Sequence, residues 1–151
     1  MVVANKNLRL EQDLERALEG LFRLGANRRF DTRQAAEVGA VVTRAGYAVL
    51  RSLADAGSAS LREVAEASVM DSPTASRQVV QLEAEGLVER RAADGDARAV
   101  ELSLTPQGRK VYDKVVQYRL KVLTRALDGW SQRDRAELQR LAAKLATDLA
   151  R

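Results

Sequence analysis

Residues 71–88 read DSPTASRQVVQLEAEGLV, and their side chains suit polar recognition better than bond-making chemistry. At 100° per residue, Ala75, Val79, Leu82 and Gly86 fall in one arc and form the expected buried stripe. Arg77 lies nearly opposite. Pro73, Thr74 and Gln81 share its outward side, with Ser76 and Gln78 on the flanks. A solvated helix face more often carries Lys and Glu in i,i+4 pairs. Here compact hydrogen-bonding groups surround one guanidinium, whose fork grips guanine O6 and N7 or a phosphate. Ser72 is expected to cap the helix, with Pro73 at the first helical position. Ser72, Thr74 and Ser76 then stand beside free helix N–H groups that suit phosphate oxygens. Capping alone would also account for these small residues.

Two more groups of cations call for positioning. Arg90, Arg91 and Arg98 flank a tight turn at Asp94-Gly95, with Asp96 between. Neighbours on a strand point to opposite sides, so one of Arg90 and Arg91 faces whatever the turn approaches. Arg98 can pair with Asp94 or Asp96. Arg62 opens a short helix just upstream and is a candidate phosphate contact. Arg28, Arg29, Arg33 and Arg44 gather near the junction of the first two helices. They are solvated or phosphate-facing, or, with Tyr47, a pocket for an organic anion.

Most reactive chemistry is closed to this chain. It holds no Cys and no His among 151 residues, which removes disulfides, thiol nucleophiles, Cys/His metal sites and imidazole acid–base catalysis. No phosphate loop or carboxylate dyad is evident. An enzyme is the weakest reading, and neither a cofactor nor a metal is expected. The net charge of +4 favours anionic partners mildly. Residues 58–104, however, hold five arginines against nine acids. Nucleic-acid binding by that region must rest on where its arginines sit.

The elements follow from periodicity and punctuation. Leu14, Leu18, Leu21 and Phe22 step at helical spacing, so about 8–37 reads as one long helix ending near Gly39. Thr43 caps a helix carrying Tyr47, Val49, Leu50 and Leu53 to a stop at Gly57. Ser60 with Glu63 is a capping box opening a short helix that turns Leu61, Val64 and Ala65 inward. The 71–88 helix follows after a brief turn. Leu87–Arg91 reads as a strand, Asp94-Gly95 as a hairpin turn, and AVELSL as the return, with Val100, Leu102 and Leu104 on one face. Thr105-Pro106 starts a helix to about Leu127. Ser131, with Asp134 three residues on, starts the last, with Leu138, Leu141, Leu145 and Leu149 as its apolar seam. The apolar stripes of the terminal helices exceed what one such lobe can bury, which marks a two-fold interface. Two short helices joined by a tight turn and followed by a hairpin form a winged helix-turn-helix.

The strings AGYAVLRSL, LREVAE, SPTASRQVVQLEAEGLVER and DGDARAVELSLTPQG resemble the MarR family of bacterial winged-helix transcriptional regulators, best over residues 43–109. The family's wing signature, D-x-R ending in L-T-x-x-G, matches the last string. The resemblance implies a mainly α fold with a small β-hairpin wing and a single domain over 1–151. Within it, residues 43–104 would form the DNA-binding lobe, with dimerisation helices at 8–37 and 106–150. It implies a homodimer on a near-palindromic operator in double-stranded DNA, with the 71–88 helices in successive major grooves. The wing tips would reach the minor groove, with an acid holding Arg98 toward it. In many members it implies a small anionic or aromatic effector. Gln81 stands where a basic residue is common in the family, and aromatics are only 4%.

A dimeric repressor released by an effector is the leading reading. A weakly specific architectural binder of nucleic acid, or a winged helix used for protein contacts, remain the alternatives. No apolar run spans a membrane and the N-terminus lacks an apolar signal core, so the expected compartment is the cytoplasm.

Overall fold

The computed structural model describes the backbone of residues 2–25, 28–93 and 96–150, and side chains at 8–23, 28–92 and 100–150. The N-terminal periodicity yields two helices, α1 (Val2–Gly25) and α2 (Arg28–Val38), where one was expected over 8–37. Gly25 is the last residue of α1. Gln34 of α2 is almost fully buried, its Nε2 donating to the Val42 carbonyl at 3.2 Å. That bond ties α2 to the segment entering the next helix.

Local caps set the following elements. Thr43 accepts from the Gly46 N–H and starts α3 (Arg44–Ala56). Ser60 and Glu63 complete a reciprocal capping box at α4 (Leu61–Ala67). The α5 helix runs Ser72–Ala84, and its cap is Asp71, one residue before the Ser72 expected in that role. The Asp71 carboxylate accepts from the Thr74 N–H, and the Ala75 N–H that Ser72 would need bonds the Asp71 carbonyl instead. A charged carboxylate complements the positive helix end better than a hydroxyl does. At the other end, Leu87 N–H bonds the Leu82 carbonyl and Gly86 N–H bonds that of Glu83. This is a Schellman closure with Gly86 at φ 70°. Gly86 is therefore an exposed C-terminal cap and not part of the buried stripe; Ala75, Val79 and Leu82 are buried as expected.

The sheet has order β1-β3-β2, all antiparallel. Strand β2 (Val88–Ala93) pairs with β3 (Asp96–Leu104) in the expected hairpin, with a register shift between Ala92 and Ala93. The two-residue β1 (Ser58–Ala59), too short to show an alternation, adds to the other edge of β3, with Ser58 opposite Ser103 and Ala59 opposite Leu102. Leu102 is buried, Leu104 half-buried and Val100 exposed. Among the described residues the expected common face is thus most exposed at Val100, toward the wing tip.

The chain divides after Val115 into two compact units. In the first, α5 packs on α3 and α4, and α3 also contacts β3. Val49, Leu50, Leu53, Val64, Val79 and Leu102 form its core. Helix α6 (Pro106–Ala126) starts against the base of the wing. The Thr105 hydroxyl accepts from Gly108 N–H and donates to the Gly86 carbonyl, while Thr105 N–H bonds the Leu87 carbonyl. In the second unit, α7 (Gln132–Leu149) is capped by Ser131, whose Oγ accepts from Asp134 N–H. No residue of α7 is buried.

Candidate nucleic-acid interface

Helix α5 presents its polar side as a linked series of hydrogen bonds. Asp71 Oδ1 accepts from Thr74 N–H at 2.7 Å, and the Thr74 hydroxyl donates to Asp71 Oδ2 at 3.0 Å. Arg77 Nη2 then donates to Thr74 Oγ1 at 2.9 Å. The Thr74 N–H first, and the Thr74 hydroxyl second, hold the Asp71 carboxyl below its ordinary range, so it stays ionised at neutral pH. The guanidinium is thereby steadied from one side on an exposed edge. Asp71 was not singled out from the sequence, although its position three residues before Thr74 was the available signal.

Ion pairing separates the four arginines of the middle region whose side chains are described. Arg62 pairs with Glu66 at 2.9 Å, Arg90 with Glu83 at 2.7 Å and Arg91 with Glu89 at 2.6 Å. Arg77 takes part in no ion pair among the described residues, which leaves it, of these four, the cation best able to meet an external anion. The neighbouring candidates fare differently. Ser72 and Pro73 are exposed and Ser76 half-buried. Gln81 is exposed and spans to Glu85 at 3.0 Å. Gln78 is half-buried, its Oε1 accepting from the Thr43 hydroxyl at 3.3 Å, so it braces α5 against the start of α3. Val80, which lies outside the expected stripe of Ala75, Val79, Leu82 and Gly86, is 55% exposed. At 100° per residue Val80 falls on the outward side of α5, nearer to Arg77 than to the buried stripe.

At the wing, Arg90 and Arg91 are exposed at the base of the hairpin. Asp94 lies outside the described residues, as do the side chains of Asp96 and Arg98, whose backbone belongs to β3. In the turn between α4 and α5, Val69 has φ 53° and is 87% exposed. It closes α4 where a glycine is usual, with Met70 N–H on the Ala65 carbonyl.

Arg28, Arg29 and Arg44 are exposed, while Tyr47 stacks on Tyr112 with centroids 6.0 Å apart. Burial foremost, and Tyr47 next, push the Tyr112 hydroxyl up. A separate cavity of about 450 Å³ is lined by Val38, Gly39, Gln107, Lys110, Val111, Asp113 and Lys114. Among the described residues no cluster of three or more carboxylates could hold a metal, and no helix is long and apolar enough to cross a membrane.

Residues 42–100 match the model of the MarR family. The chain is 30% identical over 105 residues to the HTH-type transcriptional repressor MdtR of Bacillus subtilis, covering 70% of this chain and 68% of MdtR. The chain belongs to the MarR family. A second MarR-like relative, the HTH-type transcriptional regulator YxaD of Bacillus subtilis, is 33% identical over 92 residues, 61% of this chain and 64% of YxaD. The aligned part thus spans a little under two thirds of YxaD. Among solved structures, BpsR of Bordetella bronchiseptica superposes with a TM-score of 0.61 at 27% identity, covering 79% of this chain and 89% of BpsR. Its DNA binding is regulated by 6-hydroxynicotinic acid. The mainly helical architecture with its small three-stranded sheet is that of a MarR winged helix.

Proposed function

We propose that this MarR protein is a dimeric, sequence-specific DNA-binding repressor. The observation that carries the reading is Arg77, exposed and outside any described ion pair on the outward edge of the second helix of a helix-turn-helix. Its guanidinium reads guanine in the major groove, while Ser72, Thr74 and Ser76 meet backbone phosphates beside it. Arg98 reaches the adjacent minor groove from the wing, positioned by Asp94 or Asp96. Arg62, Arg90 and Arg91 already hold carboxylates and contribute less to affinity, since a phosphate must displace a partner.

Two copies act together. Leu14, Leu21 and Phe22 on α1 and Leu138, Leu141 and Leu149 on α7 are all exposed large apolar groups. Leu145, between them on α7, is half-buried. Apolar stripes of this length on two helices support a buried two-fold seam between copies. A dimer over a promoter blocks polymerase sterically, and the repressor MdtR is a relative consistent with that sign. An organic acid that prefers the non-binding spacing of the two reading helices would release the DNA by population shift. The regulation of BpsR by an aromatic acid supports this class of effector.

The test is a mobility-shift assay on the DNA upstream of the chain's own gene, with Arg77→Ala and Arg98→Ala. Loss confined to particular bases with Arg77→Ala supports the reading; uniform weakening across sequences points to backbone-only binding. No binding by the unaltered protein would favour protein contacts, the use that the excess of acids in the middle region suits.

A further inference from the structure

We infer that Val80 is a specificity-determining residue that reads the 5-methyl group of a thymine beside the base held by Arg77. The inference rests on the DNA-reading assignment of α5. Val80 is 55% exposed on a helix whose other large apolar residues, Val79 and Leu82, are buried. It stands three residues after Arg77 and four after Ser76, so it flanks the guanidinium on the next turn of the same outward edge. Side chains in a helix lean toward the preceding turn, which brings the two valine methyls over the patch between Arg77 and Ser76.

Valine is a poor choice for a merely solvated helix position. It loses side-chain freedom in a helix that Lys, Glu or Gln would keep, and it offers water nothing to bond. Its virtue is rigidity: one χ1 rotamer dominates in a helix, so both methyls are held in one place before DNA arrives. The major groove has one apolar mark among its donors and acceptors, the thymine methyl. A rigid apolar knob beside a guanidinium can thus distinguish a thymine from the three other bases without any hydrogen bond of its own.

The experiment pairs Val80→Ala with removal of that methyl from the DNA. Each thymine of the bound operator is replaced singly by deoxyuridine, which keeps every hydrogen-bonding group. The unaltered protein should lose about fourfold in affinity at one thymine per half-site, the worth of one buried methyl-sized contact. Val80→Ala should lose a similar factor on the unmodified operator and be indifferent to deoxyuridine at that position alone. Val80→Ile should restore the sensitivity. Alanine is the better helix former at this exposed site, so the fold is retained, and thermal unfolding checks it. Unchanged affinity of Val80→Ala overturns the inference. So does weaker binding that keeps the full deoxyuridine response, because Val80 would then act elsewhere. If the unaltered protein binds no DNA, the assignment of α5 itself fails and the inference falls with it.

Discussion

Gly108→Ala should unfold the junction between the wing and α6, and the structure supplies the magnitude. A Cβ built at Gly108 would lie 1.9 Å from the Leu87 carbonyl oxygen and 2.8 Å from its carbon. Carbon and oxygen rest at about 3.3 Å, so α6 and the start of β2 must separate by more than 1 Å. That movement strains the Thr105 bonds to the Leu87 and Gly86 carbonyls, at 3.1 and 2.6 Å. Each is worth about 1 kcal/mol net. Forced overpacking adds about 1–3 kcal/mol, and the obstacle here is backbone, which cannot rotate aside. The expected loss is about 3–5 kcal/mol. Urea unfolding at fixed protein concentration, followed by circular dichroism, reads it as a midpoint lowered by about 2 M if m is about 2 kcal/mol/M. Gln107→Ala, one residue away and exposed, should stay within about 0.5 kcal/mol of the parent. A Gly108→Ala midpoint within about 0.3 M of the parent would refute the reasoning, because such a shift is far below the expected loss of about 3–5 kcal/mol.

Other positions give independent tests. Val69→Gly should stabilise the fold by about 0.5–1 kcal/mol, the relief of a left-handed β-branched residue offset by the freer unfolded glycine. A Tm equal to or below the parent's would contradict the strain at φ 53°. Asp71 has a lowered folded pKa, so its ionised form contributes stability that is complete above the ordinary value of 3.8 and is lost as pH falls through the lower folded value. Asp71→Asn should therefore flatten stability against pH in that acid window and leave its shape near neutrality unchanged; parallel acid limbs for both proteins would show the shift to be absent. Leu138→Asp with Leu141→Asp, both on exposed α7 positions, should halve the mass in sedimentation while retaining helical circular dichroism. A pair of variants with the parent's mass would remove α7 from the interface.

What could be read from the chain depended on how local each signal is. Thr43, Ser60 with Glu63, Thr105 with Pro106, and Ser131 all cap where their spacing predicts, because a cap involves only three or four residues. The choice between Asp71 and Ser72 was not legible, since both are good caps and Pro73 is tolerated after either. Strand β1 needs β3 to exist, and nothing within Ser58-Ala59 announces a partner more than forty residues away. The polar edge of α5 was legible as a pattern, in Thr74, Ser76 and Arg77. Its internal order was not: the Asp71–Thr74–Arg77 series, the turning of Gln78 toward Thr43 and the exposure of Val80 depend on how α5 sits on α3.

The central claim is that two copies offer their α5 helices to one face of a duplex. Its most direct test is affinity for the operator before and after about five base pairs are inserted between the half-sites, half of the 10-base-pair turn that should separate them. The insertion carries one half-site to the opposite side of the DNA, so binding should fall by about 100-fold or more, toward that of a single half-site. Affinity that is indifferent to the insertion would contradict the account.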